Sequence, residues 1–451
     1  MLGIGSITTK STPVQVPSLD NVASVAGGWH SLAVKSDGTV YAWGPNTYGQ
    51  LGIGWADSDP HSFPVPVPEQ APAFLPKVTT IGNPFSDKPA YARNVWDMQV
   101  FDGKIYFGYG DWSNNAGPVS IYSLDPATDT FSNEYNNIPE ESIDAFKVIG
   151  NKLYIPGPDP REAGGTGESW DYGNLYVLDS GSTSWKKYRT IPGALHVLDL
   201  EFYNEKLYAG IGVAYSDPKA LQNQLLSFSD GGMTWASESI RNPLSSPSRD
   251  YMPFFYRIYS LFQLGGDLYG AEHICLTDSN NYQNHDSYFI QVSSNSSEMV
   301  KYSRDFVPGA PIYTEYVMRR QLNFKDKLLF ILFEKDGDSD SYIQPFAMYA
   351  ASSISSGTKI GFPETAALPI DILTRDDEVY VLTHIQNSDT NFTNIVYKTN
   401  DLKNWTEVFR FKYPTFARSF EEVNGDFYLG MGAKKAASPS SGNVIIIESL
   451  K

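Results

Sequence analysis

The sequence predicts an all-β protein: a seven-bladed β-propeller closed by an N-terminal strand and preceded by a partial propeller-type repeat. Three observations predict it. An apolar step, closed by Tyr in six of seven cases, recurs at Ile105-Tyr106, Leu153-Tyr154, Leu207-Tyr208, Leu268-Tyr269, Leu328-Leu329, Val379-Tyr380 and Phe427-Tyr428, at spacings of 48 to 61 residues, the period of a four-stranded blade. Each step lies in one pattern: an apolar segment, a turn ending in Gly or Asp, the step itself, a third strand, a tight polar turn and a fourth strand. The last unit stops at its third strand, Asn443 to Ser449, while Pro76-Lys77-Val78-Thr79-Thr80-Ile81 stands ahead of the first unit without a partner. Pairing the two closes the ring and removes the open edges that template aggregation.

Taken in order, residues 1–70 come first. Leu2-Gly3-Ile4-Gly5 returns at Leu51-Gly52-Ile53-Gly54, and between them lies VASVAGGWHSLAVKSDGTVYAWGPNTYGQLG. Its Gly-Gly-x-His-Ser-Leu-Ala strand, Asp-Gly turn, Val-Tyr-Ala-Trp-Gly strand and Asn-x-Tyr-Gly-Gln-Leu-Gly ending resemble the repeat of the regulator of chromosome condensation family. That family builds a seven-bladed propeller of its own, and a lone repeat cannot bury its faces. Met1 therefore reads as a start within a longer repeat array. Residues 1–70 are expected to pack on the propeller's side or to self-associate through an open edge. The resemblance does not carry guanine-nucleotide exchange over from one repeat, and His30 reads as structural. The Pro-rich run from Pro60 to Pro76 reads as a stiff linker, since proline fixes φ and removes donors.

The second domain spans 76–451, with a closing strand at 76–82 and blades starting near 95, 143, 196, 257, 317, 369 and 417. Turns between third and fourth strands carry a repeated mark at Asp125 to Phe131, Asp179 to Trp185, Asp230 to Trp235 and Asp401 to Trp405. The first resembles the Asp-Pro-x-Thr turn of kelch propellers. The third and fourth resemble the Asp-box of sialidases, although Phe228 replaces the leading Ser/Thr in the third. Each Asp is expected to accept backbone N–H groups while the aromatic ring packs between blades.

Composition narrows the function classes. Thirty-seven Gly, 29 Pro and 14% aromatics suit many short strands with tight turns. A net charge of −17 disfavours nucleic acid and anionic membrane as bulk partners. The single cysteine, Cys275, excludes an internal disulfide. No apolar run reaches the length of a membrane span, and the N-terminus shows no signal peptide. With the N-terminus read as truncated, an extracellular or cell-surface location is expected.

Candidate site residues lie where first strands meet the channel and in the loops after second strands. Arg93, Arg257, Arg319, Arg320 and Arg418 converge on one predicted face, with Arg93 and Arg418 aligned through Ala-Arg-Asn-Val and Ala-Arg-Ser-Phe. Converging guanidinium groups bind carboxylate or sulfate, or else pair between blades with Asp97, Asp199, Glu201 and Glu421. His196, His273 and His384 share the face. Tyr109 and Trp112, in the long insertion Gly108 to Asn115, are candidates for stacking a sugar ring. Asp336, Asp338 and Asp340 alternate as oxygen ligands of calcium would, or form a solvated hairpin tip.

Two functions follow. One is cleavage of an acidic glycan, in architecture similar to propeller sialidases, glycosidases and polysaccharide lyases. His196 or Tyr256 would act as base or acid in a lyase, and Asp111 with Glu272 would flank the bond in a hydrolase. The other is a non-catalytic recognition or adhesion propeller of a cell surface or virion, binding protein or glycan. The enzyme question is open at this stage, and an Arg set fully paired within the channel would favour the binder.

Overall fold

The computed structural model describes residues 1–17, 19–48, 50–53, 60–67, 76–111, 116–158, 171–213, 226–229, 234–241, 256–275, 288–294, 296–312, 314–335, 342–433 and 438–448. The chain divides into two compact units, Met1–Phe74 and Leu75–Lys451.

The first unit is a four-stranded antiparallel sheet of Val22–Gly27, Ser31–Lys35, Val40–Gly44 and His61–Pro66 in chain order. Its core is small: Ala42, Leu51 and Ile53 are buried, with Leu32, Val65 and Val67 against them. Gly3 adopts a positive φ of 73°, and a Cβ there would meet the Trp43 ring at 2.8 Å, so the N-terminal Leu-Gly-Ile-Gly segment seats on the sheet. Part of the Pro-rich run proves to be a strand and not a linker. Tyr41 pairs with Pro66 and Ala42 with Val65. Proline is tolerated there because His61–Pro66 is an edge strand, whose outward N–H positions need no partner. The opposite edge, Val22–Gly27, is exposed along its whole length.

The second unit is all-β, with seven antiparallel sheets among the described residues. We number them I to VII in chain order. Their first strands are Asp97–Phe101, Lys147–Ile149, His196–Tyr203, Ser260–Leu264, Glu315–Phe324, Leu368–Arg375 and Ala417–Val423. All seven apolar steps fall in the second strands, from Lys104–Gly108 to Asp426–Met431. Those strands are buried on both faces, which explains why they read as near-continuous apolar runs. Sheet V carries a fifth strand, Ile274–Cys275. Sheet VII is completed out of order: Val78–Gly82 pairs with Val444–Ile447, Val444 opposite Gly82 and Ile447 opposite Val78.

The turns show their expected chemistry in part. Asp401 accepts the N–H groups of Lys403 and Asn404 at 2.8 Å each, while Thr399 Oγ1 accepts those of Asp401 and Leu402. These bonds hold the Asp401 carboxyl below its usual range. Asp125 accepts the Ala127 N–H at 2.8 Å. Asp179 departs from the pattern, because it pairs with Lys152 and Lys186. The aromatic after the turn packs between sheets, as Trp185 of sheet II does edge-on against Tyr106 of sheet I at 5.8 Å. Residues 230–233 of the third turn lie outside the described residues.

Candidate functional site

First strands of six sheets, with Arg257 and Tyr259 leading into that of sheet IV, line one cavity of about 610 Å³. Its ionisable lining consists of Lys147, Arg257, Arg319, Arg320, Arg375 and Arg418 against Asp97, Asp144, Asp199, Glu201, Asp371 and Glu421, with His196 beside them. Six basic and six acidic side chains thus face each other across one space.

Strand register sorts them into layers. Asp97 pairs with Gly108, Asp199 with Gly210, Asp371 with Leu382 and Ser419 with Gly430. The three aspartates therefore occupy equivalent positions. Each reaches sideways to accept a backbone N–H from the first strand of the next sheet or from the residue leading into it. Asp97 takes that of Phe146 at 2.7 Å, Asp199 that of Leu261 at 2.8 Å, and Asp371 that of Phe420 at 3.0 Å. Glu421 does the same one turn of the pleat further on, accepting from Val100 of sheet I at 3.3 Å.

Cations fill the centre of this carboxylate layer. Arg320 lies at a register shift in sheet V, with a φ of 58°. That break aims its guanidinium across the cavity to Asp97 and the Trp96 carbonyl, while Nε meets Asp371 at 3.1 Å. Lys147 Nζ contacts Asp199 at 2.8 Å, and Gln321 Nε2 donates to the other Asp199 oxygen at 2.6 Å. Burial works against the Lys147 ammonium, yet Asp199 and Glu201 hold its pKa above the usual range. Burial pushes the Asp371 and Glu421 carboxyls up to about 7, opposed by Arg320 and Arg375 respectively. Arg375 forks onto Glu421 and Glu422 at 3.0 Å each. This layer is a set of inter-sheet ties.

The neighbouring layer differs. Ser419 Oγ donates to Val95 O and Ser260 Oγ to Met318 O, which makes Met318 equivalent to Val95. Trp96, Asp144, Tyr259, Arg319 and Arg418 therefore share one level. Arg418 lies over the Trp96 ring at 4.2 Å and the Phe416 ring at 5.0 Å. It donates to Asn94 Oδ1 at 3.0 Å and Ala433 O at 2.9 Å, both neutral acceptors. Burial, then the charges of Arg319 and Arg320, push its pKa down to about 9. Burial likewise lowers Arg319, whose Nε has no hydrogen-bond partner among the described residues.

Other sequence candidates fall outside this space or are spent within it. Arg93 is not level with Arg418; it ends a short 3-10 turn, Ala90–Arg93, and donates to Lys88 O at 2.7 Å and Ser86 O at 2.9 Å. Tyr109 is fully buried, stacked on Phe85 at 4.2 Å with its hydroxyl accepting the Ser120 N–H, so its ring is core and not a sugar platform. His384 is likewise buried, stacked on Phe416 at 4.5 Å. His196 is buried with Nδ1 at 2.5 Å from Pro158 O, and burial followed by the Arg257 charge lowers its pKa to about 3.

Arg257 donates to Tyr259 Oη at 3.2 Å, and His273 packs on the same Tyr259 ring at 5.2 Å. Glu272 accepts the Tyr256 N–H at 3.2 Å, a bond internal to sheet IV. Asp111 follows the second strand of sheet I and donates its backbone N–H to Glu141 O. Trp112 and the calcium candidates Asp336, Asp338 and Asp340 lie outside the described residues. No group of three or more His, Cys, Asp or Glu is placed to hold a metal among the described residues. No helix there is long and apolar enough to cross a membrane. Asp371, Lys147, Gln321 and Asn94 were not singled out by sequence. The signal for the first was present, since Asp97, Asp199 and Asp371 each precede their second-strand partner by eleven residues.

Comparison with known proteins places the first unit. Residues 23–50 and 37–81 match two family models, each described as the regulator of chromosome condensation (RCC1) repeat. The N-terminal sheet is thus similar in sequence to a repeat of that type. Human Alsin is 42% identical over 74 residues, 16% of this chain and 4% of Alsin. The ultraviolet-B receptor UVR8 of Arabidopsis thaliana is 39% identical over 56 residues, 12% of this chain and 13% of the receptor. The chain thus spans a small part of the length of these curated relatives. The crystal structure of BamB from Moraxella catarrhalis overlays with a TM-score of 0.35 and 12% identity, covering 95% of this chain and 94% of BamB.

Proposed function

We propose that this protein is a non-catalytic recognition propeller. On this reading the seven sheets form a ring of blades closed by Val78–Gly82, and rim loops together with the RCC1-type repeat contact a macromolecular partner. One observation carries the proposal: the ionisable lining of the channel is balanced, and its carboxylate layer is consumed in tying first strands together. A glycosidase needs two carboxyl groups held free to protonate and to attack. A lyase needs a base whose lone pair is free to take a proton from the substrate. Asp97, Asp199, Asp371 and Glu421 are bound to backbone N–H groups and cations, and His196 is buried with Nδ1 against Pro158 O. The RCC1-type repeat, a module built for stacking and contact, supports the same reading.

The experiment is incubation with a panel of acidic and neutral polysaccharides, following new reducing ends and unsaturated-uronide absorbance together. The expected result is no cleavage of any polymer. Cleavage that disappears in Glu272→Gln or His196→Ala would overturn the proposal in favour of a glycan-cleaving enzyme.

A further inference from the structure

Most charges in the channel are matched locally, but one layer is not. Arg319 and Arg418 stand on the same level of the first strands of sheets V and VII, with VI between them; the charge of Asp144 favours both guanidiniums and that of Arg320 opposes both. Arg320 is committed to Asp97 and Asp371. Arg418 has only neutral acceptors, Asn94 Oδ1 and Ala433 O, and Arg319 Nε has no hydrogen-bond partner among the described residues. Asp144 is the carboxylate of this level. Burial pushes its pKa up, and its Oδ1 makes no hydrogen bond among the described residues. Arg257, which also lines the cavity, adds a further guanidinium.

A buried guanidinium with an unmet donor costs free energy that an arriving oxyanion relieves, and a second guanidinium held only by neutral acceptors favours a ligand with several acceptor oxygens. The space is adequate, since about 610 Å³ accommodates a small molecule. We propose that the Arg319–Arg418 layer binds a small multivalent oxyanion, a carboxylate- or phosphate-bearing molecule held inside the channel. Trp96 and Tyr259 on the same level give that site an apolar wall. The site is distinct from the rim surface of the recognition reading and stands or falls separately from it.

The test is calorimetric titration of the full chain at constant ionic strength with inorganic phosphate, with citrate and with uncharged glycerol. Phosphate or citrate is expected to bind one to one with a dissociation constant below about 1 mM, and glycerol not at all. Stronger binding of citrate assigns carboxylate chemistry, and of phosphate, phosphoryl chemistry. Arg319→Gln should weaken the preferred anion about tenfold or more, while Arg304→Gln, on the exposed surface, should leave it unchanged. Should Arg319→Gln fail to fold, Arg319→Lys keeps the charge and should still lose about threefold, because lysine offers a point charge where arginine offers a fork. No heat with either anion up to about 10 mM overturns the proposal, as does wild-type affinity in both Arg319 variants.

Discussion

At the residue scale the channel divides its arginines by task, and Arg320 is the structural one. Its positive φ and the register shift at Arg319/Leu322 exist to carry one guanidinium across to Asp97 and Asp371. Removing one partner from a buried ionic group leaves the remaining charges uncompensated, at a cost of about 3 kcal/mol or more. Arg320→Met should therefore lower the stability measured by guanidinium unfolding by about that amount, and adding Asp371→Asn should recover part of it. The pH dependence has a defined sign. Without the arginine the Asp371 carboxyl rises further above its unfolded value of about 3.9, so the folded state holds a proton that the unfolded chain releases. The deficit should be smaller at pH 5 than at pH 8; equal deficits would show that Arg320 does not neutralise this acid. His196 gives a second residue-level check. Its folded pKa of about 3 lies below the unfolded value, so its ring signals should not titrate between about pH 5 and 8 by NMR. Protonation then favours the unfolded chain only as pH falls below about 6.5 toward 3. A midpoint near 6.5 for His196 would contradict its burial against Pro158.

At the scale of elements, sheets are spaced by how closely the second strand of one sheet approaches the segment leading into the first strand of the next. A Cβ on Gly108 would sit 2.4 Å from Ile143 O, and one on Gly210 would sit 2.7 Å from Ile258 O. Neither backbone oxygen can yield without moving its strand. Gly108→Ala should cost about 2 kcal/mol through overpacking, whereas Gly361→Ala, whose Cβ meets nothing within 4 Å, should stay within about 0.5 kcal/mol. Comparable unfolding midpoints for the two variants would show that the sheets can slide apart. These elements were largely legible in sequence because burial on both faces writes itself as apolar-aromatic steps, as at Leu153-Tyr154 or Val379-Tyr380. First strands begin at 97, 147, 196, 260, 315, 368 and 417. Side-chain direction at the channel was less legible. Ala-Arg-Asn-Val and Ala-Arg-Ser-Phe align as text, but strand register sets Arg418 level with Trp96, and Arg93 turns outward to bind the 86–88 carbonyls. Bulges break the period of two that a sequence reading depends on. His61–Pro66 was hidden for another reason: its prolines argue against a strand wherever the chain cannot be known to lie at an edge.

For the whole molecule, the proposed ring depends on one short strand borrowed from the start of the second unit. Val444, Ile445, Ile446 and Ile447 are all buried and form the edge that Val78–Gly82 covers. The segment after that strand is fastened at several points. Asn83 Nδ2 donates to Ser441 O at 3.0 Å and to Asn443 Oδ1 at 3.2 Å, Phe85 stacks on Tyr109, and Arg93 ties the 86–88 turn. Deleting residues 1–75 leaves all of this in place, and the product should remain monomeric with a cooperative thermal transition. Deleting residues 1–82 removes the ladder to Val444–Ile447 and exposes an apolar edge without charge or proline to blunt it. The ladder's loss should lower stability by on the order of 3 kcal/mol, and the bare edge should promote association visible by size-exclusion chromatography. A synthetic peptide of residues 76–82 should restore the monomer and its transition, since an extended segment can add to a waiting sheet edge in trans. If the longer deletion proves as stable and as monomeric as the shorter one, Val78–Gly82 is an accessory strand and the ring is held by its first-strand carboxylates alone.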